Sequence, residues 1–164
     1  MCIDHHVSNL KYAQNTLLDE HSAAAAEIIY DVINALGVKF DKRLSACLYT
    51  GIATDTGCFK YSNTSPRTHR IAAELMEYGF NAGKINYVMF DLKSKSTIML
   101  EQQLLQDIGF YCDGKIAVAV LTTEMINAAQ LSENDDFGGI SSIPRQIEGV
   151  EVGITIRQKG ENHF

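Results

Sequence analysis

Between residues 22 and 37 the apolar side chains Ile28, Ile29, Val32, Ile33 and Leu36 recur at three- and four-residue intervals within HSAAAAEIIYDVINALG. That period places them on one helical face, with Ser22 positioned to cap the helix and Gly37 to stop it. A second helix is expected from about Asp41 in DKRLSACLYTGIATDTG, where Leu44, Leu48, Gly51 or Ile52, and Asp55 repeat at the same spacing. Its apolar stripe therefore ends in a carboxylate. The segment TSPRTHRIAAELMEYG predicts a third helix, capped by Thr64 or Ser65, with Pro66 in its first turn and Ile71, Leu75 and Met76 facing inward.

From Asn81 to Phe110 the pattern reads as a short helix followed by a longer one through STIMLEQQLLQDIGF, the signature of a helical connector. Beyond it the period changes. FYCDGKIAVAVLT reads as a hairpin in which Asp113 and Gly114 form a tight two-residue turn. TTEMINAAQLS is a short helix, DDFGGISSIPRQIEG is a loop leading into another helix, and Val150 to Arg157 alternates as a strand with no evident partner.

Composition narrows the class. At 164 residues, 46% hydrophobic and 21% charged, the chain can bury a core, and its net charge of -6 argues against a broad duplex-DNA surface. Short nucleotides and small phosphorylated molecules stay open. The longest aliphatic run, residues 116–121, has strand length and falls far short of a membrane span. Cys2, Cys47, Cys58 and Cys112 form no CxxC pair and follow no secretory leader, so a reducing cytoplasm is expected.

The candidate chemistry lies in MCIDHHVSN. Neighbouring strand residues point to opposite faces, so His5 and His6 can serve one site only just past a strand end, where α/β folds gather ligands. Asp4 can fix the tautomer of either ring or brace the loop. Two hydrated loop histidines are the competing reading. Asp55, continuing an apolar helix face, requires a cation, a basic partner or a place at the helix end to offset its desolvation. The loop after it, DTGCFKYSNT, offers amide and hydroxyl donors to phosphate oxygens. His21 and His69 read as solvated, and Cys2 with His5 lacks the second pair that a structural zinc needs.

Three stretches, IDHHVSN, GIATDTGCFKYSNTSPRTHRIAAELMEYG and IPRQIEGVEVGITIRQKGENHF, together resemble the DHH phosphoesterase superfamily with its DHHA1 partner domain. The likeness is to the bacterial nanoRNase branch of oligoribonucleases and phosphoadenosine-phosphate phosphatases, related to RecJ-type exonucleases. It implies an α/β chain comprising the C-terminal part of a parallel-sheet DHH domain (1–80), a helical linker (81–110) and the beginning of an α+β DHHA1 domain (111–164). It further implies a hydrolase using two Mn2+ ions, or Mg2+, on short oligonucleotides or nucleotide phosphates, with no membrane partner.

On the same resemblance His5 and Asp55 are metal ligands, His6 faces the scissile phosphate, and Asp4 supports the catalytic loop. The family's upstream DxD and single aspartate, and its downstream Gly/His-rich motif, do not occur. The chain is thus expected to be truncated at both ends, poorly active alone, and self-associating into a homo-oligomer. A nucleotide-binding regulatory module without turnover and a pyrophosphatase or exopolyphosphatase relative are the alternatives, beside a fragment with no function of its own.

Overall fold

The computed structural model describes residues 1–132, 135 and 137–159. The chain divides into two compact units, Met1–Leu92 and Lys93–Phe164, with the boundary inside the 81–110 segment. No helix among the described residues is long and apolar enough to cross a membrane.

The first unit opens with two short parallel strands, β1 (Cys2–Asp4) and β2 (Thr16–Leu18), paired Cys2 to Thr16 and Asp4 to Leu18. Four helices follow: α1 (Ala25–Ala35), α2 (Lys42–Asp55), α3 (Pro66–Met76) and the short α4 (Ala82–Asn86), which runs into a π turn at Tyr87–Asp91. Ile28 from α1, Leu48, Tyr49 and Ile52 from α2, and Ile71 and Leu75 from α3 are buried in the core. Each such side chain contributes on the order of 1.5–3 kcal/mol by leaving water.

Capping fixes the ends of the two later helices. The Asp41 carboxylate accepts from the Leu44 amide at 2.7 Å. Ser65 and Thr68 form a reciprocal capping box, with Pro66 in the first turn of α3. α1 departs from expectation. Its N-terminus lies at Ala24, without a side-chain cap, because the Ser22 hydroxyl instead donates to Asp19 Oδ2 at 2.6 Å. Leu36 and Met76 are exposed, not inward, since each stands where its helix ends; Thr68 and Ala72 complete the buried face of α3.

α1 and α2 pack closely at Gly51, where a Cβ would come within 2.9 Å of the Ala26 Cβ. Asp55 lies one turn beyond Gly51 on the same face of α2, so this approach bears directly on where its carboxylate is delivered.

The second unit contains α5 (Lys95–Gln106), β3 (Gly109–Tyr111), β4 (Ile116–Leu121), α6 (Thr123–Ala128) and β5 (Val152–Arg157), with 3-10 turns at Gly138–Ser142 and Pro144–Gln146. Leu100, Leu104, Ala119, Leu121 and Ile126 form its core. Two expectations are corrected here. Tyr111 pairs with Ile116, so residues 112–115 make a four-residue connection, with Cys112, Asp113 and Gly114 all at positive φ. β5 does have a partner: it pairs parallel to β4 from Val152 opposite Ile116 to Arg157 opposite Leu121. A parallel partner sits across a long crossover, so local periodicity does not reveal it.

The architecture is α/β, with one parallel pair and one mixed sheet.

Candidate functional site

Asp4 is the last residue of β1, and its side chain organises everything that follows. Oδ1 accepts from the His5 amide at 2.8 Å, the His6 amide at 3.2 Å and His6 Nδ1 at 2.7 Å, while Oδ2 accepts from Asn9 Nδ2 at 2.5 Å. The Asn9 amide, then the His6 ring, hold the Asp4 carboxyl well below the usual carboxylate range. An ionised Asp4 can only accept, so His6 Nδ1 carries the hydrogen of that bond. The His6 ring is 67% exposed, and its Nε2 has no protein partner among the described residues.

His5 points the other way. Its side chain is 15% exposed, and Nδ1 lies 3.2 Å from the Ser22 carbonyl oxygen. A carbonyl can only accept, which places the hydrogen on Nδ1 and turns the lone pair of the neutral ring outward at Nε2. Asp55 Oδ2 stands 3.5 Å from that nitrogen. The two rings lie 4.4 Å apart, centroid to centroid.

Two Lewis bases therefore face each other. A proton shared between them would draw the atoms to about 2.7–2.9 Å, the range of charge-assisted hydrogen bonds. At 3.5 Å the two atoms are near enough to hold one cation between them, and near enough for an ion pair when the ring is protonated. The donor set, one imidazole and one carboxylate, suits a divalent transition metal. Among the described residues no group of three His, Cys, Asp or Glu side chains could hold a metal ion.

Of the three ways to offset the desolvation of Asp55, the structure shows the place at the helix end. Asp55 is the last residue of α2 with its side chain 42% exposed, and hydration at the helix end removes the desolvation argument. The loop after it differs from expectation. Gly57, Cys58 and Phe59 all adopt positive φ, and a Cβ at Gly57 would fall 2.3 Å from the Tyr61 ring. In that tight turn the amides of residues 57–61 are engaged by Thr54, Ala53 and Thr56. They are not available to phosphate.

Several residues that local patterning did not single out hold the site together. Asn63 Nδ2 donates to the Ala23 carbonyl at 3.0 Å and to the Asp55 carbonyl at 3.1 Å. Glu27, 1% exposed, accepts from Arg67 Nη1 at 2.7 Å and from the Ala23 amide at 3.3 Å, and Arg67 also reaches Asp31. An acidic residue amid apolar neighbours is the sequence signal that marks Glu27. Among the described residues, His69 and His21 stay outside the site: the exposed His69 stacks on Phe59 and the exposed His21 bonds through its amide to Asp19. All four cysteines are free.

No family profile matches the chain. It is 32% identical over 159 residues to the bifunctional oligoribonuclease and PAP phosphatase NrnA of Thermus thermophilus, covering 97% of this chain and 47% of the relative. The Bacillus subtilis protein described in the same words is 26% identical, over 98% of this chain and 55% of its own. Among solved structures, an exopolyphosphatase-related protein from Bacteroides fragilis superposes with a TM-score of 0.81 at 27% identity, over 90% of this chain and 44% of that one. The chain thus spans about half the length of the relatives it matches.

Proposed function

The chain is homologous over nearly all its length to the bifunctional oligoribonuclease and PAP phosphatase proteins of the DHH family, and on that premise we propose that it is part of a metal-dependent phosphoesterase acting on short oligonucleotides or nucleotide phosphates. The observation that carries the reading is the His5 Nε2 lone pair facing Asp55 Oδ2 at 3.5 Å. His5 and Asp55 hold the metal, Mn2+ or Mg2+, as two of its ligands. When bound, such an ion supplies charge neutralisation at the phosphoryl oxygens and acidifies water for attack on phosphorus.

The chain's own residues do the rest. Ser22 fixes the orientation of the His5 ring through its carbonyl, so that Nε2 is the nitrogen turned to Asp55. His6, braced at Nδ1 by ionised Asp4, directs Nε2 to a phosphoryl oxygen and donates to it when protonated. Asn9 holds the second Asp4 oxygen and keeps the loop from swinging. With two metal donors of its own, the chain turns substrate over slowly by itself. A cytoplasmic setting and assembly as a homo-oligomer belong to the same reading.

The test is a titration of 3′-phosphoadenosine 5′-phosphate and a short RNA into the chain, with and without the diamagnetic Mg2+, followed by NMR. Metal-dependent shifts at His5, His6 and Asp55 are expected. Nucleotide binding that is indifferent to metal supports instead a regulatory module without catalysis. Inorganic polyphosphate is the second substrate reading, favoured by the likeness to the exopolyphosphatase-related structure, and a competition arm decides it. Rapid hydrolysis by the chain alone, abolished by chelator, would overturn the expectation of slow turnover.

A further inference from the structure

His5 and Asp55 are held by separate elements: His5 follows β1 and leans on the Ser22 carbonyl ahead of α1, whereas Asp55 closes α2. The two side chains can approach to 3.5 Å only while the two elements that carry them are held in register.

The Asn63 side-chain amide is joined to both elements. Its Nδ2 donates at 3.0 Å to the carbonyl of Ala23, the residue after the one that fixes His5, and at 3.1 Å to the carbonyl of Asp55 itself. Both partners can only accept, so the orientation of the amide is fixed and both of its N–H groups are used. On the Ala23 side the peptide is further anchored, since its amide donates to the buried Glu27 carboxylate, which Arg67 neutralises. On the Asp55 side the helix end is anchored by the Thr56 hydroxyl, which donates to the Ile52 carbonyl at 2.7 Å. Each end of the amide thus meets backbone that is already fixed.

We infer that Asn63 is a positioning residue that sets the distance between the His5 imidazole and the Asp55 carboxylate; its consequence for metal binding rests on the reading of that pair as metal ligands. No other residue type of this size presents two N–H donors from one atom. An aspartate of the same shape would set a carboxylate against two carbonyl oxygens and push the elements apart. An alanine would remove the tie without adding repulsion.

The experiment compares the full chain with Asn63→Ala and Asn63→Asp in two readouts. In the metal-free protein, NOEs between the His5 ring protons and the Asp55 methylene are expected in the parent chain and lost in both variants, while the thermal midpoints stay close. On adding Mn2+, paramagnetic broadening is expected at His5 and Asp55 together in the parent chain. In the variants it requires about tenfold more metal, the lower end of the loss typical for residues that orient ligands. Variants that keep the NOEs and the parent's metal response would overturn the inference. Loss of the NOEs, with no broadening in any protein including the parent, upholds the positioning role and sinks the metal reading instead. A large fall in thermal midpoint for both variants would show Asn63 to be a general structural tie and overturn its specific assignment.

Discussion

Arg67 is predicted to be the side chain on which the buried Glu27 carboxylate depends. Its guanidinium neutralises Glu27, a carboxylate 1% exposed that also receives the Ala23 amide. Removing one partner of a buried pair leaves an uncompensated charge, which typically destabilises by about 3–5 kcal/mol. Arg67 itself is 40% exposed, so solvent already screens the pair and the loss in Arg67→Met is set lower, about 2–3 kcal/mol. For a unit of this size that corresponds to a fall in melting temperature of roughly 10–20 °C if it unfolds cooperatively. Urea unfolding followed by circular dichroism gives the free energy directly, with the denaturant slope as a check that only stability has changed. The control is the double variant Glu27→Gln with Arg67→Met, in which no charge remains buried; it should be more stable than Arg67→Met alone. A loss under about 0.5 kcal/mol in Arg67→Met, or strictly additive losses, would refute the reasoning.

The Asp4 carboxyl is held below its ordinary value of 3.8, so folded protein releases this proton more readily than unfolded. Its contribution is present above pH 3.8 and lost as pH falls below that value. The Asn9 side-chain amide signals should hold steady through the ordinary carboxylate range and shift only well below pH 3.8, and Asp4→Asn should remove that acid limb. Gly51→Val should destabilise the first unit by about 1–3 kcal/mol, since a Cβ already meets Ala26 at 2.9 Å. Chemical denaturation checks the value, and Asp55 signals should shift with it because the crossing of α1 and α2 must open.

Much of this was legible in the chain. The three long helices of the first unit follow from apolar residues at helical spacing, and Asp41 and Ser65 mark two starts that the structure caps as written. What local patterning misses is non-local. The parallel pairing of β4 with β5 joins residues more than thirty apart, and the tie made by Asn63 joins two backbone carbonyls whose proximity only the fold creates. Ser22 shows the limit of capping rules, because a competing carboxylate at Asp19 takes its hydroxyl and the helix begins two residues further on. For Asp55 the stripe leaves a cation, a basic partner and a helix end all open, and only the fold shows that α2 ends there.

The account stands on one pair of atoms, His5 Nε2 and Asp55 Oδ2. Electron paramagnetic resonance of Mn2+ titrated into the chain, set beside His5→Ala and Asp55→Ala, measures their joint grip on a cation. The account predicts saturable binding in the parent chain and its loss in each variant alone. Equal binding in all three proteins, or none in any, would contradict it.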